Sequence, residues 1–211
     1  MRFSKLAKEA PFISKDNFRL LFPGIKDESY NQNIKNWIKT KKIIALKRGI
    51  YIFADYWQKC QAVDEYLNYL ASVLYAPSYV SMETVLAKYG MLTEAVFGLS
   101  SVTVKTSRRF AADIALFTYS SIREPLFLGF IEDKYFDYPY YIATKSKALF
   151  DFLYFFKRRT KTINQKTVDE LRINIDNMEK SDWKEFEKYM TIANDKKLNK
   201  IYQLLRSKNA A

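Results

Sequence analysis

Histidine is absent from the 211-residue sequence, and cysteine occurs once, as Cys60. A single thiol closes no intramolecular disulfide, and without histidine or a second cysteine no zinc site built on those ligands can form. Ordinary Ser-His and Cys-His nucleophile pairs are excluded on the same ground. Glycine and proline are scarce, at five each; obvious linkers are therefore few, and neither an internal repeat nor a low-complexity segment is present. No apolar run approaches the ~20 residues that a membrane-spanning helix requires. Met1 to Ala10 is basic and amphipathic but lacks the apolar centre of a secretory signal. The expectation is a cytoplasmic protein with no membrane contact, no metal and no cofactor.

What is present is apolar and basic. Hydrophobic residues make up 48% of the chain and aromatics 17%, enough to build a sizeable core and too many for a disordered segment. Lysine and arginine outnumber aspartate and glutamate by 35 to 23, a formal charge of +12, which favours a polyanionic partner or a solvated basic surface. The position of the charge has to decide between them.

A change of pattern near residue 57 divides the chain into two expected domains, 1 to 57 and 58 to 211. In the first, Phe3 to Ala10 reads as a helix stopping before Pro11, and Ser14 caps a second helix that ends at Pro23-Gly24. A third helix is predicted from a capping box at Ser29 and Gln32 to about Thr40. Tyr30, Ile34, Trp37 and Ile38 form its apolar stripe, while Ser29, Gln32, Lys35, Asn36 and Lys39 point the other way. Two short β-branched runs, Ile43 to Leu46 and Ile50 to Phe53, flank a Lys47-Arg48-Gly49 turn and read as a hairpin with a cationic tip.

Two helices, a polar-faced third helix and a basic hairpin describe a winged helix-turn-helix. Amide side chains pair bidentately with adenine in the major groove, and lysines reach phosphates without reading sequence. Gln32 and Asn36 are thus candidates for base contacts, and Ser29, Lys35, Lys39, Lys41, Lys42, Lys47 and Arg48 for backbone contacts with double-stranded DNA. A solvated helix face is the bland alternative.

The second part reads as α+β: a helix to Tyr75, a break at Pro77 and a helix from Ser81 to Tyr89. Strands follow over Val102 to Thr106, Ala115 to Ser120, Leu126 to Glu132 and Tyr140 to Ala143. An apolar helix begins after Thr144, and helices over 165 to 177, 181 to 193 and 195 to 207 complete a mixed α/β domain with a small sheet. Four segments, LKRGIYIF (Leu46 to Phe53), PSYVSMETVLAKYGML (Pro77 to Leu92), SSVTVKTSRRF (Ser100 to Phe110) and IATKSKALFDFLYF (Ile142 to Phe155), resemble the AbiEi abortive-infection antitoxin family in order and spacing. The resemblance covers about residues 12 to 156. Ser146 stands where the family's A-T-x-E-K-A-L pattern has glutamate, so no role of that carboxylate carries over. The resemblance implies a repressor that binds inverted repeats in its own promoter. It also implies an antitoxin that counteracts a nucleotidyltransferase-type toxin without a stable complex.

Further basic residues, Lys105, Arg108, Arg109, Lys145, Lys147, Lys157, Arg158, Arg159 and Lys161, would extend the DNA footprint or meet another anionic partner. For Lys157 to Lys161 a cationic helix C-terminus is the simpler reading. Two other functions compete. Asp113 with Glu132, Asp133 and Lys134 imitates the acid and lysine order of metal-dependent nucleases. The 16 tyrosines and 16 phenylalanines would suit a protein-interaction module if several were exposed, although spacing such as Tyr66, Leu67, Leu70 and Leu74 points to core.

Overall fold

The computed structural model describes residues 10–93 and 97–207 and arranges their strands into two sheets. Apart from Ala10, the helix expected over Phe3 to Ala10 lies outside the described residues. The smaller sheet has the order β1-β3-β2, antiparallel throughout, from β1 (Ile13–Ser14), β2 (Ile43–Lys47) and β3 (Ile50–Phe53). Helix α1 (Lys15–Arg19) starts where the Ser14 hydroxyl accepts the Asn17 amide, as the sequence predicts.

Helix α2 (Asp27–Lys39) begins two residues before the expected capping box. Lys26 is its N-cap and makes no side-chain cap; Asp27 and Glu28 occupy the first turn instead, where unpaired amides favour negative charge. Ser29 therefore lies inside the helix and caps nothing. The helix ends as Lys41 turns left-handed at φ 54°, and the Lys42 amide reaches back to the Trp37 carbonyl at 2.9 Å. Tyr30 and Ile34 are buried and Trp37 is half-buried, but Ile38, expected on the same stripe, is exposed.

Period-two alternation lets the hairpin serve two cores. Ile43, Tyr51 and Phe53 face a small cluster with Ile13, Phe18, Tyr30 and Ile34, whereas Leu46 and Ile52 point into the main core. Chain continuity is as tight: α3 (Ala54–Lys59) follows β3 directly, and residue 57, the expected border, lies within it. Extended backbone at Cys60 separates α3 from α4 (Val63–Leu74).

The larger sheet runs β6-β7-β5-β4-β9-β8. Its members are β4 (Ser78–Val80), β5 (Leu99–Thr103), β6 (Arg108–Ala112), β7 (Ala115–Ser121), β8 (Phe130–Tyr135) and β9 (Tyr138–Ala143). β5 with β7 and β4 with β9 are parallel, and the remaining pairs antiparallel. Helix α4 covers one face, where the Tyr119 hydroxyl donates to the Ala71 carbonyl at 2.6 Å. Helices α5 (Glu83–Lys88) and α6 (Lys145–Arg159) cover the other, where Tyr79 donates to Asp151 of α6 at 3.0 Å. The end of the described chain is helical: α7 (Gln165–Asp169), much shorter than expected, then α8 (Lys180–Ala193) and α9 (Lys196–Ser207). No described helix is long and apolar enough to cross a membrane.

Candidate nucleic-acid interface

The outer face of α2 is a product of how its inner face is held. Phe18 packs against Tyr30, Trp37 and Phe53 with ring centroids 6.4, 5.1 and 6.0 Å apart. Tyr30 donates its hydroxyl to the Lys15 carbonyl at 2.7 Å, and burial pushes its phenol up to about 12. Arg19, not singled out in the sequence, fixes the turn into α2. It donates to the Phe22 and Ile25 carbonyls, pairs with Asp27 at 3.3 Å and lies 5.2 Å over the Tyr30 ring. The available signal was weak: one arginine in a last helical turn before Pro23-Gly24.

With that side anchored, Gln32, Lys35, Asn36 and Lys39 are all exposed. Gln32 donates to the Asn36 side chain at 3.3 Å, so the two amides form one pre-aligned pair on consecutive turns. Lys41, Lys42 and Arg48 are exposed too, and none of these five cations has an ion pair among the described residues. One acid intrudes: helical spacing places Glu28 on the same stripe, a turn ahead of Gln32. The potential is therefore positive toward the C-terminal half of α2 and offset at its start.

Lys47 does not stand at the hairpin tip as the sequence suggested. Its ammonium donates to the Leu74 carbonyl at the end of α4 and lies 5.5 Å over the Phe110 ring. Burial, with the nearby Lys105 charge, lowers its pKa while Tyr75 opposes the shift. Arg48 and Gly49 alone make the turn, with Gly49 at φ 84°, a backbone that a side chain would strain.

The second basic group divides. Lys105 donates to the Ala76 carbonyl, Lys157 pairs with Asp195, and Lys145 pairs with Asp182 at 2.6 Å. Lys147 is a clear correction, being fully buried. It binds Asp151 at 2.6 Å and the Leu126 carbonyl at 2.8 Å, while Ser81 and Tyr79 fill the other carboxylate oxygen. Burial drives Lys147 down and Asp151 up from their ordinary values, and their mutual attraction works against both shifts. Lys161 is exposed, and Arg108, Arg109, Arg158 and Arg159 gather at one cleft.

The nuclease constellation does not assemble. Asp113 sits in the β6–β7 turn and Glu132 and Lys134 on β8, at opposite edges of the six-stranded sheet. No group of three acidic, cysteine or histidine side chains among the described residues could hold a metal. Tyr66, Leu70 and Leu74 are buried as expected, and Leu67 is half-buried. No protein-family model matches the chain, and no curated protein matches it.

Proposed function

We propose that this chain is a sequence-reading, DNA-binding repressor whose reading element is α2. The carrying observation is the exposed Gln32-Asn36 pair beside unpaired Lys35 and Lys39 on a helix anchored by an aromatic core. Two helices followed by a hairpin, closed by a β1-β3-β2 sheet, support reading the N-terminal unit as a winged helix-turn-helix. Base edges are then met by the amides, and phosphates by Lys35, Lys39, Lys41, Lys42 and Arg48. Lys47 drops out of the phosphate set because its ammonium is already committed to Leu74.

The antitoxin part of the reading rests on the four segments that resemble AbiEi proteins. It comprises autorepression through inverted repeats and counteraction of a nucleotidyltransferase-type toxin without a stable complex. A gel-shift titration on the chain's own upstream promoter tests the DNA part. Gln32→Ala with Asn36→Ala should reduce the preference for promoter over scrambled duplex at least tenfold, with non-specific affinity retained. Unchanged discrimination in that double variant would remove α2 as the reading element.

A further inference from the structure

Face parity in the six-stranded sheet separates two cationic surfaces. Ser100 and Ser120 share a face with Arg109 and Thr118, the side covered by α5 and α6. Phe110 and Tyr119 lie on the opposite face, where Lys47 of the hairpin and Ala71 of α4 are docked. A duplex lying along α2 would have to wrap around the β6 edge to reach the α5 and α6 side. The second surface is also concave, a cleft of about 530 Å³, within the size range of small-molecule sites.

Its lining is chemically mixed in an informative way. Arg109 comes from the edge strand and Arg158 and Arg159 from the last turn of α6, so three arginines from two elements line the cleft. None of them has an ion pair among the described residues. Arg158 is positioned by the Ser121 carbonyl at 3.0 Å and by the Phe155 ring at 5.6 Å, leaving most of its donors free. The floor carries the half-buried hydroxyls of Ser100, Thr118 and Ser120, which donate and accept without charge. Glu83 supplies one carboxylate, and Met82 with Phe155 an apolar margin. Met82 is held at φ 54° and ψ −133°, a conformation strained for a non-glycine residue that tends to persist where a site is shaped.

We infer that this cleft binds a nucleoside phosphate. Arginine forks match phosphate oxygens bidentately. The carboxylate of Glu83, which would repel a bare polyanion, suits ribose hydroxyl donors, and the Met82 and Phe155 margin suits a base. The inference does not depend on DNA reading by α2.

Calorimetric titration of the full-length protein in EDTA, with ATP, GTP, CTP and UTP, adenosine and guanosine, and inorganic triphosphate, tests it. Expected is saturable micromolar binding of at least one nucleoside triphosphate, at least tenfold tighter than inorganic triphosphate, and none of the bare nucleosides. Arg109→Gln and Arg159→Gln remove exposed side chains and should each weaken that binding about tenfold or more. Ser120→Glu, which keeps every arginine but places a charge on the floor, should do the same. Lys35→Ala with Lys39→Ala should leave it unchanged. Absence of saturable binding at millimolar nucleotide overturns the inference, as does equal affinity for inorganic triphosphate. Displacement of the nucleotide by short duplex DNA, with equal losses in duplex binding on Arg109→Gln, overturns it in favour of a second DNA footprint.

Discussion

Replacing Lys35 and Lys39 together by alanine should change the salt dependence of DNA binding by a calculable amount. The surface proposed to meet DNA offers five exposed cations without an ion pair among the described residues, Lys35, Lys39, Lys41, Lys42 and Arg48. Each phosphate contact contributes about −0.9 to the slope of log affinity against log salt, so this surface supplies about −4.5 and the double variant about −2.7. Between 50 and 200 mM salt that is a loss of about 500-fold against about 40-fold. Lys47→Ala is the decisive control. Its ammonium is bound to the Leu74 carbonyl and the Phe110 ring, so the variant should keep the parent slope and instead lose about 1–2 kcal/mol of stability. Fluorescence anisotropy across a salt series, with urea unfolding of each variant, measures both. A Lys47→Ala slope smaller by about 0.9, with unchanged stability, would refute the assignment of that lysine to the body.

Glu28→Gln removes the acid that shares the exposed polar stripe of α2 with Gln32 and Asn36. It should tighten duplex binding about threefold at low salt, the gain fading as ionic strength rises; equal affinities at low salt would place the first turn outside the interface. Lys147→Met leaves the buried Asp151 carboxylate with only Ser81 and Tyr79 and should cost about 3–5 kcal/mol in urea unfolding. Adding Asp151→Leu should recover much of that loss, since two apolar side chains leave no buried charge. A single-variant loss below about 1 kcal/mol would contradict the burial of the pair.

The buried stripe of α2 and the hairpin were legible in the sequence because apolar spacing is local and repeated, and Ser14 as a cap is a one-residue signal. Ile38 and the Ser29 capping box misled because periodicity does not weigh how far a partner extends or which of two competing starts has the acids. Strand β4, at Ser78–Val80, is too short for alternation to register, and β6 opens with two arginines that read as a loop. Lys47 and Lys147 look alike in sequence, as surface cations. Their partners differ in reach: Leu74 is 27 residues from Lys47, while Asp151 is one helical turn from Lys147. The second was readable as a lysine and aspartate at i, i+4 beside Leu149, Phe150 and Phe152; the first was not.

The manner in which the hairpin is shared decides how α2, the proposed reading helix, can move. Leu46 and Ile52 belong to the main core, and Lys47 is tied to Leu74. On the other side of the small sheet, Tyr66 donates to the Pro11 carbonyl and Phe12 packs 6.1 Å from Tyr69. Swinging the N-terminal unit away would therefore expose apolar side chains on both partners and exchange two hydrogen bonds, from the Lys47 ammonium and the Tyr66 hydroxyl, for bonds to water. Each of those losses is on the order of 1 kcal/mol or more. A flexibly tethered head would adapt to many half-site separations at little cost; a head fused through its own hairpin would not. If two copies of this chain read an inverted repeat while touching each other, the rigid attachment of each head fixes the half-site separation they accept. Inserting five base pairs between half-sites, which rotates one by about half a turn of the duplex, should then abolish two-copy binding rather than weaken it gradually.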